Sequence, residues 1–124
     1  MGKGAPSDPV LRKHCEEITG ADGIMIVNPN WWRQPPACLK GWLDRVIRAG
    51  VCYEYVEIGG GLGQPNGLLK AQAALVLNTS NTPTERELKV FGDPLERTWR
   101  ACIFSLCGVT ASRENSGLAE RSSI

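Results

Sequence analysis

Two short apolar runs, GIMIVN at Gly23–Asn28 and AALVL at Ala73–Leu77, constrain the fold of this chain more than any other feature. Neither alternates apolar with polar residues, as a strand with one wet face does. Continuous apolar runs of this length fill strands buried on both faces of a parallel sheet. Each run ends abruptly in a polar loop, PNWWRQPP after the first and NTSNTP after the second.

Amphipathic segments surround both runs. Over Pro9–Ile18 the face is Leu11, Cys15 and Ile18, with Asp8 placed to cap, Pro9 suited to the first helical position and Gly20 a stop. From Ala37 to Arg48, Leu39, Trp42, Leu43, Val46 and Ile47 recur at helical spacing, and Lys40, Asp44 and Arg48 form an i, i+4 ladder opposite them. A third helix is expected after Asp93, Pro94 and Glu96, with Leu95, Trp99, Cys102, Ile103 and Leu106 on its face and Gly108 closing it. Between Gly50 and Gly67 the glycines, Pro65 and Asn66 predict a long irregular connection, at whose start Tyr53 and Tyr55 alternate. Beyond Val109 no apolar period survives, so residues 110–124 are expected to be a disordered tail. Helix, strand, helix, strand, helix is the rhythm of an α/β fold with a parallel sheet. A sheet of only two strands leaves edges unpaired, which predicts self-association or low stability.

The chain has 124 residues, enough for one compact domain. Its net charge of +1, dispersed along the sequence, lacks the basic footprint of a nucleic-acid partner. No stretch approaches the roughly 20 apolar residues of a membrane span, and Met1 to Asp8 is polar, so no membrane association and a cytoplasmic location are expected. Five cysteines, none spaced as C-x-x-C, read as free thiols. With His14 the only histidine, metal sites and hydrolytic triads have little to build on, so no metal is expected.

Chemistry is therefore sought in the loops. In an open parallel sheet, ligands bind outside the carboxyl ends of the strands, where loops converge and helix N-termini direct their N–H groups. Pro29–Pro36 offers two adjacent tryptophans before a helix start, and Asn78–Pro83 offers Asn, Thr and Ser groups in a turn. An isoalloxazine ring suits both, having flat apolar faces and a pyrimidine edge that needs hydrogen bonds. Backbone N–H groups and a helix dipole stabilise negative charge on that edge without titrating. From composition alone, the same residues read more readily as packing aromatics and an ordinary turn.

A resemblance weights the first reading. Ala21 to Tyr55 resembles the signature of the flavodoxin-like NAD(P)H dehydrogenase (quinone) family, through its paired tryptophans and the PPACLKGWLDRV helix start. Asn78 to Trp99, with FGDPLE, is similar to that family's next block in bacterial members. The resemblance implies a partial flavodoxin-like fold, a doubly wound parallel sheet with helices on both faces, occupying residues 1–109. It implies hydride transfer from NAD(P)H through FAD or FMN to a quinone or similar acceptor. It implies flavin contacts at Pro29, Asn30, Trp31 and Trp32 and at Asn78, Thr79, Ser80 and Asn81. By the same likeness Tyr53 and Tyr55 line the acceptor pocket across a homodimer interface.

Three departures qualify what carries over. Phe91 precedes Gly92 and Asp93 where the animal branch has a histidine, and no catalytic acid or base is assigned. Ser80 and Asn81 stand where other branches have glycines. The strand and loop that hold the flavin phosphate in such folds have no counterpart in the sequence. The alternative is a non-catalytic flavodoxin-like interaction module unable to hold flavin alone.

Overall fold

The structure, a computed structural model, describes residues 4–61 and 63–110 and the backbone of 119–123. Helix α1 spans Pro9–Gly20, and the Asp8 carboxylate accepts hydrogen bonds from the N–H groups of Val10 and Leu11 at 2.8 and 3.1 Å. Strand β1, Gly23–Pro29, leads into helix α2, Ala37–Val46, and strand β4, Ala73–Ser80, lies parallel to β1. Their register runs without interruption from Gly23 opposite Ala73 to Pro29 opposite Thr79.

Burial alternates along both strands. Ile26, Asn28, Ala74, Val76, Asn78 and Ser80 are buried, whereas Met25 and Val27 are 64% and 70% exposed. The inward residues form one core with Cys15 and Ile18 of α1, Leu43 and Val46 of α2, and Leu95, Trp99 and Phe104 beyond β4. The helical residues of this core therefore pack on one sheet face, leaving the outer face of β1 uncovered among the described residues. Both apolar runs are thus strands, but β1 is buried on one side only.

The irregular connection expected between Gly50 and Gly67 is instead an antiparallel hairpin, β2 over Tyr53–Glu57 and β3 over Gly63–Gly67. Most of its side chains face water, so no apolar alternation marks it in the sequence. Backbone pairing makes it a ladder, with one cross-strand side-chain bond in which Asn66 Nδ2 donates to Glu54 Oε1 at 3.0 Å. Its base is fixed to the core by Leu68 N–H donating to Cys52 C=O at 2.9 Å and Leu69 N–H donating to Cys107 C=O at 3.2 Å.

After β4, helix α3 (Thr84–Arg86) continues as a π-helical stretch over Glu87–Phe91, which Gly92 ends at φ 70°. Asp93 then caps α4 (Pro94–Arg97), which itself widens into a π-helix over Thr98–Phe104. Bonding from i to i+5 shifts the buried face by a residue each turn. Cys102, expected inside, is consequently exposed, and Phe104 replaces it, its ring stacked 5.6 Å from that of Trp99.

The expectation of a disordered tail falls partly outside the described residues, at 111–118 and 124. The backbone of Ala119–Ser123, however, forms β5, parallel to β4, giving the sheet order β1-β4-β5. An unpaired strand edge offers backbone donors and acceptors to any extended segment, whatever its side-chain pattern.

Packing of the hairpin base gives a test. A Cβ on Gly67 would lie 2.2 to 2.4 Å from the backbone of Cys107 and Gly108, whereas one on Gly41, inside α2, meets nothing within 4 Å. Gly67→Ala is expected to destabilise the fold by about 1–3 kcal/mol. Gly41→Ala should instead stabilise it by about 0.5–1 kcal/mol. Urea unfolding of both variants checks the opposite signs.

Candidate functional site at the rim of the parallel strands

The last register pair of β1 and β4, Pro29 and Thr79, is continued by one further bond, in which Asn30 N–H donates to Thr79 C=O at 2.7 Å. The tryptophan loop and the Asn-Thr-Ser loop therefore leave the sheet side by side. Pro29, Asn30, Trp31, Trp32, Asn78, Thr79, Ser80 and Asn81 all lie at this rim.

Within the first loop the chain reverses tightly. Trp31 N–H donates to Gln34 C=O at 3.3 Å, and Gln34 N–H donates back to Trp31 C=O at 3.0 Å. The two residues between them, Trp32 and Arg33, have φ of 54° and 60°. Positive φ at both central positions is the type I′ arrangement that Asn-Gly ordinarily fills. For side chains with a Cβ it costs roughly 1–2 kcal/mol per residue. The turn holds Trp31 and Trp32 outward, at 61% and 91% exposure. Two adjacent indoles are thus kept in water on a strained turn, the reverse of what packing alone selects.

At the ends of the two strands lie buried amides. Asn28 and Asn78 are register partners, 5% and 3% exposed. The Asn28 amide donates to Pro29 C=O at 3.1 Å. Its Oδ1, both amide atoms of Asn78 and Nδ2 of Asn30 have no hydrogen-bond partner among the described residues. Leaving such groups dry costs about 1–3 kcal/mol apiece, so the cluster suits a ligand edge that both donates and accepts. Ser80 is differently used: its Oγ accepts from Thr82 N–H at 3.1 Å and shapes the second loop. The first turn of α2, which starts three residues after Gln34, has no side-chain cap and leaves its N–H groups available on this side.

The structure does not bring Tyr53 and Tyr55 to the rim. Trp31 and Trp32 precede the N-terminus of α2, whereas the hairpin follows its C-terminus, and the helix's 10 residues measure about 15 Å. The two rings contact each other edge to face, with centroids 5.8 Å apart, and Tyr55 is 61% exposed. Phe91, at the position of the animal histidine, lies under Arg33, whose Cζ is 3.3 Å from the ring centroid.

Sequence reading passed over Arg33, Asn28 and Glu87. Glu87 is almost fully buried and its Oε1 lies 3.3 Å from Arg33 Nη2. No local signal marks it, because the charged residues around it, Glu85, Arg86 and Lys89, read as an ordinary solvated face. A cleft of about 450 Å3 exists elsewhere, between α1, α2 and the outer edge of β1. It is lined by Ile18, Ile24, Ile26 and Leu39, and its polar pair, Trp42 Nε1–H and His14 Nδ1, is satisfied internally at 3.4 Å. The rim is the better candidate, because among the described residues it is where unsatisfied polar groups converge. Among the described residues no group of three or more His, Cys, Asp and Glu side chains could hold a metal, and no helix is long and apolar enough to cross a membrane.

Comparison with known proteins bears on the fold. The model of the flavodoxin-like fold matches residues 3–114. An FMN-dependent NADH:quinone oxidoreductase of Azotobacter vinelandii is 43% identical over 61 residues, covering 49% of this chain and 28% of that protein. A Haemophilus influenzae protein named as an uncharacterized NAD(P)H oxidoreductase is 33% identical over 103 residues, covering 80% of this chain and 47% of its own length. Among solved structures, an NAD(P)H:quinone oxidoreductase from Methanothermobacter marburgensis superposes with a TM-score of 0.66 at 26% identity, over 97% of this chain and 54% of that one. An azoreductase from Bacillus anthracis, at 23% identity and a TM-score of 0.66, shares the fold. The chain spans about half, or less, of the length of these relatives.

The unpartnered amide gives the second test. Asn78→Leu removes two buried polar atoms at similar volume, so urea stability of the ligand-free protein should hold or rise by about 1 kcal/mol. A loss of comparable size would show that the amide is hydrogen-bonded in solution.

Proposed function

Because the chain belongs to the flavodoxin-like fold family, we propose that its rim holds the isoalloxazine ring of a flavin and serves hydride transfer from NAD(P)H to a quinone or similar acceptor. FMN is the preferred cofactor over FAD, since the relatives that name a flavin name FMN. The observation that carries the reading is the Asn30 to Thr79 hydrogen bond, which sets the loop of exposed indoles beside the strand end that bears the buried amides.

When bound, the flavin supplies two-electron carriage between NAD(P)H and the acceptor. The chain's own residues do the rest. Trp31 and Trp32 offer apolar faces for stacking and keep water from one side of the ring. Asn30, Asn78 and Thr79 orient its polar edge, and the uncapped N-terminus of α2 favours negative charge nearby. No side chain is assigned to move a proton.

Tyr53 and Tyr55 enter this scheme only through a second protomer. Their place beyond the far end of α2 keeps them from their own rim, and an exposed hairpin is a suitable arm for reaching another. The proposed assembly is therefore a homodimer in which each hairpin lines the partner's acceptor side.

A second reading, a non-catalytic interaction module, draws on the uncovered face of β1, where Met25 and Val27 lie in water. It predicts a colourless protein that ignores flavin. The visible spectrum of the purified protein, followed by FMN titration, decides between the two. The proposed function requires saturable uptake, weakened roughly fivefold by each of Trp31→Ala and Trp32→Ala, about 1 kcal/mol per lost aromatic contact. Undiminished uptake in the double variant would return the tryptophans to a packing role.

A further inference from the structure

We infer that Arg33 is a positioning residue, latched by Glu87 and Phe91, that holds the Trp31–Gln34 turn in its left-handed form and so fixes the pose of both indoles. The problem it solves is local. Trp32 and Arg33 both sit at positive φ without being glycine, and Trp32, 91% exposed, makes few contacts that could offset the strain. Compensation has to come from Arg33.

Its guanidinium is engaged twice. Nη2 lies 3.3 Å from Glu87 Oε1, and the planar group lies over the Phe91 ring with Cζ 3.3 Å from the centroid. Arginine is the side chain that can do both, since its flat, delocalised charge stacks on an aromatic face while its edge pairs with a carboxylate. The Glu87 side chain is only 2% exposed, which makes it a fixed anchor, and separating a buried carboxylate from its cation carries a large penalty.

Both anchors belong to the π-helical stretch Glu87–Phe91 that follows β4, while Arg33 belongs to the loop that follows β1. The latch is therefore a second tie between the tryptophan loop and the segment that follows β4, made by side chains apart from the backbone bond from Asn30 to Thr79. One tie sets where the loops leave the sheet. The other sets how the indoles are presented.

The consequence for flavin rests on the function proposed above, but the latch does not, and the experiment separates them. Amide hydrogen exchange on the full chain reports the turn directly, through Trp31 and Gln34 N–H. Arg33→Met keeps the stem and loses the charge, and it should speed exchange at these two amides at least tenfold while leaving Val76 in the sheet unchanged. Glu87→Gln should do the same, Arg33→Lys should fall between, and the double variant should be no faster than either single one. Should Arg33→Met fail to fold, Glu87→Gln carries the same expectation. FMN affinity of the folded variants should fall at least fivefold in the same order. Unchanged exchange at Trp31 and Gln34 in Arg33→Met or Glu87→Gln overturns the latch. Accelerated exchange with undiminished FMN affinity overturns the positioning role. Accelerated exchange in a chain whose unmutated form ignores FMN upholds the latch and refutes the flavin reading alone.

Discussion

The parallel pairing of β1 with β4 is the constraint on which everything at the rim depends. Seven consecutive register pairs run from Gly23–Ala73 to Pro29–Thr79, and the Asn30 to Thr79 bond carries the ladder one step into the loops. A slip of β1 by one residue against β4 would turn Ile26 outward and bring Met25 toward the core while Val76 kept its place. It would also put Asn28 on the face opposite Asn78. Register and site are thus one decision, made by the apolar pattern of two short strands.

The rim shows a second kind of trade. Exposed indoles, a left-handed turn without glycine, and amides buried without partners each work against stability. Their coincidence in a few residues, beside a core whose remaining members pack conventionally, is what separates a binding surface from a scaffold. The same chain shows the contrast at its other end, where Gly67 and Gly108 let the hairpin base lie directly on the backbone after α4. There, close packing is all that is asked.

How much of this was legible in the sequence follows from how each element is stabilised. α1, α2, β1 and β4 bury periodic apolar faces, so Leu43, Val46, Ile26 and Val76 announced them. The hairpin is held by backbone pairing with water-facing side chains, and Pro65 and three consecutive glycines spoke against strands. The helix after β4 was expected at 3.6 residues per turn, but its π-helical stretch moved Phe104 inward and Cys102 outward. At the site, the types Trp and Asn pointed to the right loops. Arg33 and Glu87 could not be paired from sequence, since 54 positions separate them and neither lies in an unusual local pattern.

The central claim is that one flat ligand is held between the two loops that leave β1 and β4. Mapping the backbone amide shifts of the labelled protein on addition of FMN tests it most directly. The account predicts the largest shifts at Asn30–Gln34 and Thr79–Thr82, with the hairpin Tyr53–Gly67 left still at concentrations that keep the protein monomeric. Shifts centred on the cleft between α1 and α2, or on neither loop, would contradict it.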